Sequence, residues 1–293
     1  RFPIFSRSFN PFCTSIKMAK VPAFAELGRS AKDVLYGGRE GVFQYDRVLN
    51  ISSTTSDGVN FGIRALSKGD KVNIDLKSVY VAPRYTLVSS VTPEGRLAAA
   101  LTVKDVAPGL TLAASGTLPD PDTLKVAVDY SVPHLTLKSL VSLAAAPKVD
   151  LAATTGYEGV TVGGTASFDS GKSAITKWTA GVGYTAADYQ LAALVTDTQD
   201  ASFLLAHRVA PTTTIGAEVA RNLGSGETRF SVAAAKRLDG GALTKAKLEN
   251  TGILSLLYEQ SLQPNAKIAL SSQINALDLN AAPKFGVGFD LKY

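Results

Sequence analysis

The chain has 293 residues, a hydrophobic content of 45% and a formal net charge of +5 at pH 7. Its uninterrupted apolar runs are far shorter than the roughly 20 residues of a transmembrane helix, so helical membrane spans are excluded. Arg1, Arg7 and Lys17 supply three of the positive charges before Met18, and the remaining +2 is too small to indicate a nucleic-acid partner.

Residues 1–17 differ in composition from the rest of the chain. They contain the only cysteine, Cys13, and they precede the only methionine, Met18. Basic, serine-containing and free of acids, the segment has the composition of an organellar transit peptide. The alternative, which we favour, is that it lies upstream of a start at Met18. Under both interpretations it is excluded from the fold, and the remaining chain offers no thiol for disulfides, metal binding or catalysis.

The first periodic segment, Val21 to Tyr36, repeats apolar residues at helical spacing. The pattern predicts one amphipathic helix of about four turns, too short to cross a bilayer. Three glycines follow it, which we expect to break the helix and to provide a flexible hinge. The apolar helix positions are Phe24, Leu27, Ala31, Val34 and Leu35, and the hinge glycines are Gly37, Gly38 and Gly41.

Beyond Gly41 the apolar period changes to two and stays there as far as the final "KFGVGFDLKY". In one such segment Val72, Ile74 and Leu76 alternate with polar residues, which is typical of a strand with one apolar face. We predict about nineteen strands between Gly41 and Tyr293. No linker divides them, so the pattern favours a single wide membrane barrel and leaves a soluble all-β fold as the alternative.

Catalytic and metal-binding patterns are weak throughout the chain. His134 and His207 are far apart in sequence, and the acidic residues form no recognisable pair or cluster. The "SGKS" stretch at 170–173 resembles the end of a phosphate-binding loop, but Ala166 stands where that motif requires glycine. The sequence therefore predicts neither an enzyme nor a cofactor or metal site.

Specific stretches of the chain resemble a known family. The stretch "LGRSAKDVL" at 27–35, with "TGYEG" at 155–159 and "ENTGILSLLYEQSLQPNAKIALSSQ" further on, is similar to the mitochondrial porins, the voltage-dependent anion channels. "DVLY" and "APGL" are most similar to plant and algal members. The resemblance covers residues 18–293. It implies a helix and hinge over 18–40 and a barrel of about nineteen strands over 41–293, with its first and last strands parallel.

By this resemblance the helix lies inside the pore, with Leu27 on the wall and Arg29, Lys32 and Asp33 facing water. It implies a voltage-gated, weakly anion-selective channel for ATP, ADP, phosphate and chloride in the mitochondrial outer membrane, in contact with lipid. A homo-oligomer is left open. If the apolar strand faces meet lipid, the predicted pore-lining basic residues are Arg64, Lys71, Lys77, Arg96, Lys104, Lys125, Lys177, Arg229, Lys267 and Lys292.

The chain departs from the family pattern at three positions, one of them Gly37, which stands where animal members have a basic residue at the end of the helix. Thr111 stands where a lysine linked to nucleotide contact is usual, and Val91 aligns with a membrane-facing glutamate of animal members. Three alternatives remain: a protein-import barrel of the same membrane, a soluble all-β binding protein, and a channel of the plastid envelope.

Overall fold

The computed structural model describes residues 21–38, 41–69, 71–263, 265–278 and 280–293. The segment 1–17 and Met18 lie outside the described residues. The helical segment consists of a 3₁₀ turn at Phe24–Glu26 and one α-helix, α1, at Arg29–Leu35. No helix in the described ranges is both long enough and apolar enough to cross a membrane.

The prediction of one continuous helix over Val21 to Tyr36 is wrong, because the chain breaks at Gly28. Leu27 is extended, and Gly28 has φ +66°, the left-handed conformation that glycine adopts without a steric penalty. The break separates the 3₁₀ turn from α1. The apolar periodicity continues across it, so periodicity alone could not reveal the interruption.

Nineteen strands follow in the described ranges. The first ten are β1 Arg47–Thr54, β2 Val59–Lys68, β3 Lys71–Val81, β4 Tyr85–Val91, β5 Leu97–Ala107, β6 Leu110–Leu118, β7 Lys125–Val132, β8 Leu135–Ser142, β9 Lys148–Tyr157 and β10 Val160–Asp169. The others are β11 Ala174–Thr185, β12 Tyr189–Thr196, β13 Asp200–Ala210, β14 Thr213–Asn222, β15 Thr228–Arg237, β16 Leu243–Glu249, β17 Ile253–Gln263, β18 Ala266–Asn275 and β19 Lys284–Lys292. A further 3₁₀ turn, Pro121–Thr123, precedes β7.

The strands close into one barrel. Each strand is antiparallel to its neighbours along the chain, and β1 also pairs in parallel with β19, with Arg47 opposite Val287 and Ser52 opposite Lys292. Because the strand number is odd, strands of alternating direction leave the first and last pointing the same way, so closure requires a parallel pair. The pairing removes both sheet edges. The predicted nineteen-stranded barrel is confirmed.

The two faces of the wall can be assigned from the register, since residues directly opposite each other on neighbouring strands share a face. Gly183 of β11 lies against Leu27, so its side of the wall is the inner one. The outer side carries many exposed large apolar residues, an extent typical of a lipid-facing surface. Examples are Ile74, Trp178, Phe203, Phe230 and Phe289.

Candidate functional site: the barrel interior and its helix

The helical segment lies against glycines of the inner wall. Leu27 is 2% exposed, and a Cβ atom added to Gly183 would lie only 2.6 Å from its Cδ2 atom. A Cβ atom on Gly216 of β14 would lie 3.2 Å from the Cβ of Val34. The missing side chains let the helix approach the wall closely. In the described part of the chain, the buried apolar cluster lies at the interface between helix and wall: Phe24, Leu27, Ala31, Val34, Leu35, Ala192, Leu194, Leu204, Ala206 and Ala233.

Polar contacts hold the amino-terminal part of the segment. The Thr136 hydroxyl of β8 donates to the carbonyl of Val21 at 2.8 Å, and this threonine is buried. The Ser30 N–H, in the first turn of α1, donates to the side-chain oxygen of Gln190 at 3.0 Å. The second bond satisfies an N–H of the first helical turn that has no partner within the helix.

The charges of the helical segment largely pair with one another. Arg29 Nη1 lies 2.6 Å from a carboxylate oxygen of Glu26, and Arg29 Nε lies 3.9 Å from Asp33. Arg29, Lys32 and Asp33 are partly buried, so they face water less fully than the resemblance implied. With two basic and two acidic residues, the described segment 21–38 has no net charge. Its displacement alone would move little net charge through a membrane field.

The carboxyl-terminal end of α1 meets two buried lysines of β16. Lys245 donates to the carbonyls of Asp33 at 2.8 Å and Gly41 at 3.0 Å. Lys247 Nζ lies 4.2 Å from the centre of the Tyr36 ring, a cation–π contact. The Tyr36 hydroxyl donates to Glu218 of β14. Burial, and then this hydrogen bond, raise the pKa of Tyr36, so the hydroxyl keeps its proton at neutral pH.

Sequence reasoning did not include Lys245 and Lys247 among the pore residues. The pattern that could have identified them is the alternation in "LTKAKLE". Both lysines lie on the same face of the strand as Leu243, and Ala246 and Leu248 lie on the other face. The outward-facing residues of this short strand are only weakly apolar, so the alternation is less conspicuous than in β3 or β11. The same parity rule would nevertheless have placed both lysines on the inner face.

The predicted hinge glycines lie in close-packed surroundings. Gly37 and Gly41 have φ of +84° and +58°, which most other residues adopt only with strain. A Cβ atom on Gly37 would lie 2.5 Å from the Gly41 carbonyl oxygen, and one on Gly38 would collide with the Asp33 carboxylate. The glycines thus permit a tight turn between α1 and the linker to β1. Their role as a hinge stays a prediction.

The register places most of the predicted lumen residues on the side of the wall that the helix contacts. Arg96 lies in the turn before β5, and Lys104 lies within a register irregularity between Val103 and Ala107, so pairing assigns neither of them to a face. The residues on the inner side are Arg64, Lys71, Lys77, Lys125, Lys177, Arg229, Lys267 and Lys292.

Two groups can be distinguished among several of the inner lysines. Some form ion pairs within the wall: Lys138 with Asp129 at 3.0 Å, Lys148 with Asp169 at 3.4 Å, and Lys267 with Glu259. In the other group the residues directly opposite are small and uncharged. Lys77 lies opposite Gly62 and Ser90, Lys125 opposite Ser115 and Ser142, and Lys177 opposite Ser167.

Basic residues outnumber acidic ones on the inner face of the described strands. The additional basic positions are Lys68, Arg208, Arg237, Lys245, Lys247 and Lys284, and the acidic ones are Asp75, Asp129, Asp150, Asp169, Asp200, Glu218, Glu249, Glu259 and Asp290. The interior therefore carries a net positive field. In the described ranges, no three His, Cys, Asp or Glu side chains are grouped to hold a metal ion.

A closed barrel with an apolar exterior, a charged interior and a helix against one part of its inner wall belongs to the class of membrane-spanning β-barrel pores. Residues 20–286 match the family model described as eukaryotic porin, and the chain belongs to that family. The family resemblance found in the sequence is confirmed.

Individual relatives match the chain over nearly their whole length. Mitochondrial outer membrane protein porin 5 of Oryza sativa subsp. japonica is 29% identical over 272 residues, which cover 92% of this chain and 97% of the relative. Mitochondrial outer membrane protein porin 4 of Arabidopsis thaliana is 28% identical, with coverages of 94% and 100%. Non-selective voltage-gated ion channel VDAC2 of Xenopus laevis is 30% identical, with coverages of 92% and 99%.

Proposed function

We propose that the protein is a voltage-gated, weakly anion-selective channel that passes ions and small metabolites across the mitochondrial outer membrane. The observation that carries the proposal is the net basic inner face of a nineteen-stranded barrel, only part of which is covered by the helix. A barrel of this strand number is too wide for side chains to fill. The mitochondrial outer membrane and the voltage dependence enter this proposal from the names of the relatives.

The proposed selectivity comes from the summed field of the wall. Lysines without an acid directly opposite keep more of their field in the lumen, whereas ion-paired lysines are largely neutralised by their partners. A wide aqueous pore screens both groups, so the preference for chloride, phosphate, ATP or ADP is weak. We assign the protein no catalytic role.

Single-channel recording of the full chain in a planar bilayer, under a salt gradient and at both polarities, tests the proposal. We expect a large conductance that steps to lower levels at either polarity, with a reversal potential of the open state that indicates anions. If a folded, β-rich sample shows no conductance, the channel proposal is contradicted. The alternative of a soluble all-β binding protein is then favoured. A cation-selective pore blocked by presequence peptides would indicate the import barrel.

The neutral helical segment leads to a prediction about gating steepness. Glu26→Gln should give residues 21–38 a net charge of +1, and a charge moving through the whole field contributes about 2.3 kcal/mol per 100 mV. We expect a measurably changed slope of open probability against voltage. The ion pair with Arg29 that is lost is only partly buried, so its loss should cost little stability.

The matched control is the double variant Glu26→Gln/Arg29→Gln, which restores neutrality and should restore the slope of the original protein. Equal slopes in all three proteins would show that the segment does not move through the field during closure.

A further inference from the structure

Lys245 is the feature that joins the helix, the linker and the wall. It lies on the inner face of β16, it is 4% exposed, and its ammonium donates to the carbonyls of Asp33 and Gly41. Asp33 belongs to α1, and Gly41 begins the described part of the linker towards β1. The side chain of Lys245 therefore forms hydrogen bonds with the main chain both before and after the glycine turn.

The chemistry of these contacts favours an ammonium. The last carbonyls of a helix have no partner within it and carry a partial negative charge, which a cation stabilises. A buried ammonium is costly unless hydrogen bonds replace its lost water. The helix and the linker supply such bonds when they lie against the wall. Both acceptors are main-chain atoms, so they exist whatever side chains stand at positions 33 and 41.

Lys247 shows why the two lysines of β16 differ. Its ammonium lies 2.7 Å from Glu249 on the same strand, and that partner would remain if the helix left the wall. The Asp33 and Gly41 carbonyls belong to the segment that would leave. The hydrogen bonds from Lys245 to these two carbonyls thus depend on the position of the helix, whereas the ion pair of Lys247 with Glu249 does not.

We propose that Lys245 is a positioning residue for gating, which holds α1 and the linker against β16 and sets the voltage at which the channel closes. The proposal rests on the proposed function, since it assigns Lys245 a part in voltage-dependent closure. The glycines can act as a hinge only when the Lys245 bonds to the Asp33 and Gly41 carbonyls break. The fit is tight, because a Cβ atom on Gly41 would lie 2.6 Å from Leu257 Cδ2 and 3.3 Å from Lys245 Cε.

Chemical rescue tests the proposal in the full chain with Cys13→Ser as background. Lys245→Cys removes the ammonium, and alkylation of the unfolded protein with 2-bromoethylamine restores it on a side chain in which sulfur replaces one methylene. Lys236→Cys is the matched control, because Lys236 lies on the outer side of the neighbouring strand and undergoes the same change of charge. The readouts are amide hydrogen exchange at Lys32 and Tyr36, whose N–H groups bond within the helical segment, and the half-closure voltage.

We expect exchange at these amides to become roughly tenfold faster in Lys245→Cys, and the closed-to-open ratio at a fixed voltage to rise about tenfold. Aminoethylation should reverse both changes, and Lys236→Cys should show neither. Unchanged exchange in Lys245→Cys, or equal effects in the control, would overturn the proposal. Faster exchange with unchanged closure would overturn its gating part. If the original protein does not close with voltage, the proposed function fails, while exchange still decides whether Lys245 holds the helix.

Discussion

Replacing Lys77, Lys125 and Lys177 together by glutamate is expected to remove most of the anion preference of the open channel, because it nearly cancels the excess of basic over acidic residues on the inner face. The residues directly opposite them on the neighbouring strands carry no charge, so each substitution changes the local field by two charges that no facing group offsets. The measurement is the reversal potential of the open state in a salt gradient, which should move close to zero.

The matched control exchanges a charge pair without changing the total. Asp129→Lys/Lys138→Asp swaps two facing residues that form an ion pair across β7 and β8, so the lumen keeps its net charge. This variant should keep the original reversal potential. An unchanged reversal potential in the triple variant would show that selectivity arises elsewhere, for instance at Arg96 or Lys104, which pairing does not assign to the inner face.

A disulfide between positions 34 and 216 is expected to abolish voltage-dependent closure if closing requires the helix to leave the wall. The Cβ of Val34 lies 3.2 Å from the position of a Cβ on Gly216. This is a few tenths of an ångström below the usual separation in a disulfide, about 3.8 Å, so a small shift of the helix allows the bond. Single-channel records of Val34→Cys/Gly216→Cys, in a Cys13→Ser background, should show a channel that stays open at both polarities.

Reduction provides the internal control for this experiment. After addition of a thiol reductant the same channels should close again, and each single-cysteine variant should close with and without reductant. Closure of the cross-linked channel at its original voltage would show that the helix stays seated during gating. The deformation of the wall itself would then be the remaining mechanism.

The two experiments separate selectivity from gating. The lysine substitutions lie on strands β3, β7 and β11 and leave the helix contacts of β13 to β16 intact, while the disulfide adds no charge. A change of selectivity without a change of closure in the first experiment, and the reverse in the second, would place the two properties in different parts of the interior.

The amino-acid sequence by itself determined the wall of the barrel. Alternation in segments such as 71–77 has a period of two, which belongs to the strand backbone and needs no knowledge of neighbours. The same alternation indicated which side carries Lys77, Lys125 and Lys177, because a strand with one apolar face has only two sides. The strand number followed from regular spacing, and parallel closure followed from the resemblance.

The tertiary structure alone decided how the helix is held. The left-handed backbone at Gly28 interrupts a pattern whose apolar spacing continues unbroken, since a side-chain period does not report a single backbone torsion. The wall glycines that seat Leu27 and Val34 become visible only when strands distant in sequence are brought beneath the helix. Lys245 binds main-chain carbonyls, which every residue possesses, so no pattern of side chains could identify its partners.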